Sequence, residues 1–269
     1  MLKSITIFFS LTIPLLAINL NSVSFGLKTT QYDYTEVDTS GTVLNTEEAN
    51  LGRIQGLYTK ARFSLEKSTS YFELMYSFTA GSTKYIGALL SGGTYGSYVS
   101  KTNNVFKKTE LSYVKRLNGS AKKAHSSKFG KVSFVPAVGY HYWERTLSAT
   151  QNEIYTWFYY QLGIRSEIKR SKIDSFILQY SHQWAYRPQM YADIPGIDLN
   201  DDFNLGKTES DFMTLGFKRK ISNNTDMEIN LEYETVDIGR SNVIKNFVEP
   251  QSYQKNLSVY LGFVFRVIK

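Results

Sequence analysis

Cysteine is absent from this chain, histidine occurs three times and proline five times in 269 residues. Without cysteine there is no disulfide to staple a small secreted scaffold, so packing or a membrane must hold the fold. The histidines are too few and too dispersed for a transition-metal set, so no metal or other cofactor is expected. Long apolar runs are also missing. Beyond the N-terminus nothing approaches the roughly twenty residues that a membrane helix requires, which excludes a helical bundle in a bilayer. The formal charge of +7 is spread along the sequence without a basic stripe, so nucleic acid is not an expected partner.

What is present is aromatic and alternating. Tyr and Phe number 20 and 17, threaded through polar sequence. Phe72, Leu74, Tyr76 and Phe78 alternate with Glu73, Met75, Ser77 and Thr79. Val132, Phe134, Pro136, Val138, Tyr140 and Tyr142 alternate with Ser133, Ala137, Gly139, His141 and Arg145. Met227, Ile229, Leu231 and Tyr233 alternate with Glu228, Asn230, Glu232 and Glu234. A helix would spread these glutamates round a cylinder, whereas period two puts them on one face of a strand. The pattern implies an all-β fold, a transmembrane antiparallel up-and-down barrel of about ten strands, with eight or twelve as alternatives. Expected strands lie at 25–38, 50–66, 70–87, 104–117, 130–147, 153–169, 172–187, 208–220, 225–239 and 254–268. Mostly short turns (67–69, 118–129, 170–171, 221–224) alternate with mostly longer loops (39–49, 88–103, 148–152, 188–207, 240–253). In a bacterial barrel the short turns are periplasmic and the long loops extracellular. Aromatics near strand ends (Tyr140, Tyr142, Trp157, Phe158, Tyr160, Trp184, Tyr186) suit an interfacial girdle. A soluble sandwich or lipocalin-like barrel also alternates, but it points its apolar face inward.

Residues 1–24 have the layout of a secretory signal peptide: Lys3, then an apolar stretch from Ile5 to Leu16, then Ser22 and Ser24 as small residues before Phe25. Cleavage is expected before Phe25, with Ala17 as the alternative, which leaves 25–269 as the barrel. The last strand carries Leu257, Val259, Leu261, Phe263 and Phe265 at alternate positions. It resembles the C-terminal signal of Gram-negative outer-membrane β-barrels, although the chain runs on through Arg266-Val267-Ile268-Lys269 instead of ending on an aromatic. That resemblance implies the cell outer membrane as location, recognition by the barrel assembly machinery, and outer-membrane lipid and lipopolysaccharide as neighbours of a monomer. The segment Tyr32-Asp33-Tyr34-Thr35-Glu36, with Gly41 and Glu47, is similar to the opening hairpin of proteobacterial barrels and carries no activity with it.

Parity also assigns a charged lumen. Lys60 and Arg62 are expected beside Glu73, and Arg165 and Glu167 on one face. Glu228, Glu232 and Glu234 are expected to meet Lys218 on one side and Arg266 on the other. Opposite charges in so narrow an interior should pair, because an unpaired buried charge costs several kcal/mol. A salt-bridged plug and a narrow cation-preferring pore both follow from that pattern. Of the histidines, His125 falls in a turn, His141 on the lumen face below Arg145, and His182 near the top of its strand. His141, Arg145 and His182 form a speculative rim site, and no catalytic residue is assigned. The adjacent Asp201 and Asp202 must point to opposite faces, which argues against the acidic pair of an omptin-type protease. The leading expectation is a non-enzymatic barrel acting through its loops in envelope integrity or surface binding. A small-solute channel and a hydrolase are the alternatives.

Overall fold

The computed structural model describes residues 18–65, 69–88, 93–117 and 130–267. Its strands are β1 (Ile18–Val37), β2 (Val43–Leu65), β3 (Tyr71–Gly87), β4 (Tyr98–Arg116), β5 (Lys131–Ser148), β6 (Gln151–Lys169) and β7 (Asp174–Ile194). There follow β8 (Leu199–Asn204), β9 (Thr208–Lys220), β10 (Thr225–Ile238) and β11 (Gln251–Arg266). Every strand pairs antiparallel with its chain neighbour except β8 with β9, and β1 pairs with β11, so the sheet closes on itself. The short β8 pairs with the upper part of β7 and β9 with the lower part. Together they form one stave, and the barrel is closed with ten staves.

The barrel is apolar outside and polar inside. Leu178, Leu215 and Leu231 sit side by side on neighbouring staves and are 52%, 53% and 41% exposed, while Ser181, Gln183, Glu228 and Ser258 are buried. A soluble barrel would show the opposite arrangement. Period two therefore faces lipid with its greasy side, and the closed antiparallel ladder leaves no open sheet edge, as a bilayer demands. Outward aromatics cluster near both ends. Phe176 pairs with Phe217, and Phe72 with Tyr113, toward the end that holds the chain termini. Tyr140 pairs with Phe158, and Tyr160 stacks on Trp184, toward the loop end.

Parity inverts twice, and both inversions matter for the interior. In β2, Glu47 and Ala49 face inward, and so do Ile54, Tyr58, Lys60 and Arg62, because residues 50–53 form a bulge between the two sets. Gly52 takes φ +93°, a left-handed value that favours glycine, and its N–H donates to the Thr29 hydroxyl at 2.9 Å. In β7, Ser181 and Gln183 face inward below Arg187, and Met190 and Ala192 above it. Arg187 carries φ 49°, beside the register shift against β6.

Several expected boundaries move. Pairing begins at Ile18, ahead of Phe25, and Ser22, Val23 and Ser24 bond to β2 and β11 on either side. The stretch 39–49 is mostly strand, with a turn at 38–42. The stretch 188–207 is mostly the β7–β8 hairpin around a 3-10 turn at Pro195–Ile197, and β4 begins within the expected 88–103 loop. Trp157, expected in the outer girdle, is 2% exposed and faces the lumen.

The outward face sets a direct test. Leu215→Arg places a cation on the lipid side of the middle of β9, and folding into a bilayer should lose about 2–4 kcal/mol. Urea titration of vesicle-reconstituted protein reads this loss. Thr214→Arg, one residue away and facing the lumen, should lose markedly less.

Candidate functional site

Three layers fill the lumen from the loop end to the terminal end. The uppermost is built around Arg145 on β5, whose side chain is 2% exposed. Its Nη1 donates to Glu36 Oε1 at 2.8 Å and to Glu153 Oε2 at 2.9 Å, and its Nε donates to Glu47 Oε1 at 2.6 Å. Its guanidinium also lies 4.7 Å from the centre of the Tyr34 ring. Glu153 is directly opposite Arg145 in the β5–β6 ladder, while Glu36 and Glu47 reach it from β1 and β2. The remaining acceptor positions are used as well. Glu47 Oε2 accepts from Thr83 at 2.6 Å and from Asn104 at 3.2 Å, and Glu36 accepts from Tyr34 and Asn45. Asn104 in turn accepts from Trp143 Nε1 at 2.7 Å. A guanidinium presents five donors in a fixed fork, and here that fork is shared among three carboxylates.

A fourth carboxylate closes this layer from above. Glu249, in the 239–250 loop, lies with its Oε1 2.6 Å from the Tyr155 hydroxyl, which is also 3.1 Å from Glu153. Burial, with Glu36 and Glu153 nearby, holds the Glu249 carboxyl well above the usual carboxylate range. Above the layer is an open cavity of about 710 Å³ at the loop end, floored by Glu36, Glu153 and Glu249. Its walls include Tyr85, Tyr98, Leu147, Ile197 and Phe247.

The second layer is aromatic. Phe106, Trp143, Tyr155, Met190 and Phe203 are directly opposed rung neighbours from β4 through β8. Trp143 stacks on Tyr155 at 4.3 Å and on Phe106 at 5.9 Å, and Tyr32 and Tyr34 pack against its other side. Ile54, placed inward by the β2 bulge, and Ile238 complete the layer, both fully buried. Each aromatic pair adds about 0.5–1.5 kcal/mol beyond its burial.

Below this septum the lumen is charged. Arg62 Nη2 and Arg165 Nη1 each reach a Glu73 oxygen at 2.7 Å, so the expected Arg62–Glu73 pair forms with Arg165 added from across the barrel. Lys60 lies 4.0 Å from Glu228 instead of Glu73. Lys218 and Arg266 both meet Asp226, a residue the sequence reading passed over. Glu228, Glu232 and Glu234 accept from Tyr58, Tyr260 and Asn256 respectively, so tyrosine and amide donors take the place expected for Lys218 and Arg266. Glu167 stands opposite Lys131 at the terminal mouth. The acidic residue could have been found by parity, since Asp226 is two positions before Glu228.

The rim site does not assemble. Arg145 belongs to the upper network, whereas His141 lies lower, stacked on Trp157 at 4.1 Å, and its Nε2 has no hydrogen-bond partner among the described residues. It shares a cavity of about 40 Å³ with Lys28, Lys108, Glu234 and Gln254, polar enough and large enough for ordered water. His182 faces outward, where Nδ1 lies 2.9 Å from Asp211 Oδ1 and the Tyr180 hydroxyl donates to the same oxygen at 2.6 Å. His125 lies outside the described residues. Asp201 meets Lys245 at 3.0 Å. Among the described residues no group of three acidic or histidine side chains is arranged to hold a metal ion.

No family model and no curated protein matches this sequence. Solved structures do match in fold. The outer membrane protease OmpT from Escherichia coli aligns over 93% of this chain and 97% of its own, with a TM-score of 0.56 at 8% identity. The translocator domain of the autotransporter NalP from Neisseria meningitidis covers 93% and 89%, with a TM-score of 0.46 at 10% identity. The chain thus has the fold of outer-membrane β-barrel proteins. At these identities the likeness carries no residue role.

Two tests address the upper layer. Arg145→Met leaves three buried carboxylates without their cation and should cost about 3–5 kcal/mol of unfolding free energy in urea titration. Arg145→Lys should recover only part of this, because an ammonium cannot span the fork. The second test uses Glu249. Between the ordinary carboxylate pKa and its raised value, the folded state binds an extra proton, so stability falls as pH rises. Heat-dependent gel shifts from about pH 5 to pH 8 should show this fall, and Glu249→Gln should flatten it.

Proposed function

We propose that this protein is a sealed barrel of the outer membrane that acts at the cell surface, by binding in its loop-end cavity, and not by conducting solutes. The observation that carries this reading is the Phe106–Trp143–Tyr155–Met190–Phe203 rung, backed by Tyr32, Tyr34 and Ile54. Barrels of eight to ten strands are hardly wider than their own side chains, and open aqueous channels belong to larger ones. Here the inward side chains of that layer are mostly bulky aromatics, and Arg145 next to them is tied by hydrogen bonds to three carboxylates. The loop-end cavity has a volume ordinary for a small-molecule pocket and combines apolar walls with a polar floor. Such a cavity suits a surface-binding role, with the barrel as a rigid support. The even stave count places both termini at the same mouth, which supports a periplasmic assignment for that end and an extracellular one for the cavity.

The hydrolase reading draws less support. His141 shares its cavity with Lys28, Lys108 and Glu234, its Nε2 meets no carboxylate among the described residues, and the acid partner of His182 lies on the outer face. A general base needs an orienting acid within reach of the substrate.

Planar-bilayer recording of the refolded barrel tests the proposal. The native protein should be silent, and Trp143→Ala combined with Tyr155→Ala should produce discrete steps. Cation-selective steps from the native protein, shifted by neutralising Glu228, Glu232 and Glu234, would instead make it a narrow pore.

A further inference from the structure

The septum leaves a blind chamber below it that opens at the terminal mouth. The mouth has a volume of about 470 Å³ and runs inward past Arg62 and Lys218 into a smaller cavity of about 110 Å³. Its lining holds eight cationic side chains against three carboxylates. The cations come from six different strands: Arg62 from β2, Arg116 from β4, Lys131 from β5, Lys169 from β6, Lys218 from β9 and Arg266 from β11. Each lies at an inward position of its strand, in step with buried lumen residues such as Tyr58, Val114, Val135 and Gln161. They form a ring aimed at the axis.

The carboxylates do not neutralise this ring. Asp226 is shared by Lys218 and Arg266, and Asp174 is taken by Arg219 at 2.8 Å. Glu167 faces Lys131 across the ladder. Arg62 is held deeper, on Glu73. Among the described residues, Arg116, Lys169 and the turn residue Lys172 have no acidic partner. Like charges this close repel, and a low-dielectric wall focuses their field into the mouth. An anion with several oxygens relieves that repulsion and meets both fork-like and point-like donors, the combination that binds phosphate.

We propose that this chamber is a binding site for small multiply charged phosphate-bearing solutes, entering from the terminal, periplasmic side. A phospholipid headgroup offers the same phosphate chemistry. The inward aim of the ring favours a soluble anion, because a lipid-binding belt would present its cations on the outer face. The chamber is separate from the loop-end cavity, so the site stands whatever that cavity receives.

Inorganic pyrophosphate is the probe, titrated by calorimetry into the full barrel in phosphatidylcholine nanodiscs at low salt. Saturable one-site binding is expected, weakening steeply with added salt. A variant carrying Arg116→Gln, Lys169→Gln and Lys172→Gln should bind at least tenfold more weakly. A variant with Lys84→Gln, Lys101→Gln and Lys255→Gln removes the same charge near the opposite end and should bind as the native protein does. Equal loss in both variants would reduce the effect to net charge and overturn the site. The lipid arm measures phosphatidylglycerol retained around native and triple-variant barrels in mixed nanodiscs. Retention that depends on Arg116, Lys169 and Lys172, with no pyrophosphate binding, would assign the ring to lipid and overturn the proposal. Absence of both signals would overturn it as well. A heat-dependent gel shift confirms that every variant is folded.

Discussion

Arg145 is a full positive charge with almost no access to water, and the upper half of the barrel is arranged around that fact. Desolvating a guanidinium and three carboxylates is costly, and the cost is offset only when nearly every donor and acceptor is matched. The matching recruits β1, β2, β5 and β6 directly, then β3 and β4 through Thr83 and Asn104. More than half of the staves are thus tied to one side chain. The network also fixes the aromatic layer beneath it, because Trp143 donates to Asn104 and Tyr155 reaches Glu153. A stack of rings alone has little angular preference. Anchored at two rims by hydrogen bonds, it becomes a defined wall.

The outer surface and the closure of the barrel were legible from alternation, since lipid on one side and polar side chains on the other impose period two on every strand. Phe72 to Phe78 and Met227 to Tyr233 show it without interruption. Individual lumen pairs were legible where they join adjacent strands, as with Arg62 and Glu73. The Arg145 network was not legible, for a physical reason. Glu36 and Glu47 are far from Arg145 in sequence and meet it across the barrel, so no local pattern points to them. The bulge at 50–53 and the left-handed Arg187 each flip parity, and a reader holding period two through them assigns half of β2 or β7 to the wrong face. Trp157 shows a different ambiguity. Near a strand end an aromatic suits the interfacial girdle, and only its odd-numbered position, in step with Tyr155 and Tyr159, marks it as internal.

Charge is distributed along the axis as well as around it. The loop end concentrates carboxylates, with Glu36, Glu47, Glu153 and Glu249 gathered about a single arginine. The terminal end concentrates cations, and between the two lies a layer with almost no charge. Gathering like charges costs self-repulsion, and water and counter-ions at each mouth relieve part of it. Among the described residues, folding thus gathers charges that look evenly spread in the sequence into a basic mouth at one end and a carboxylate-rich layer at the other.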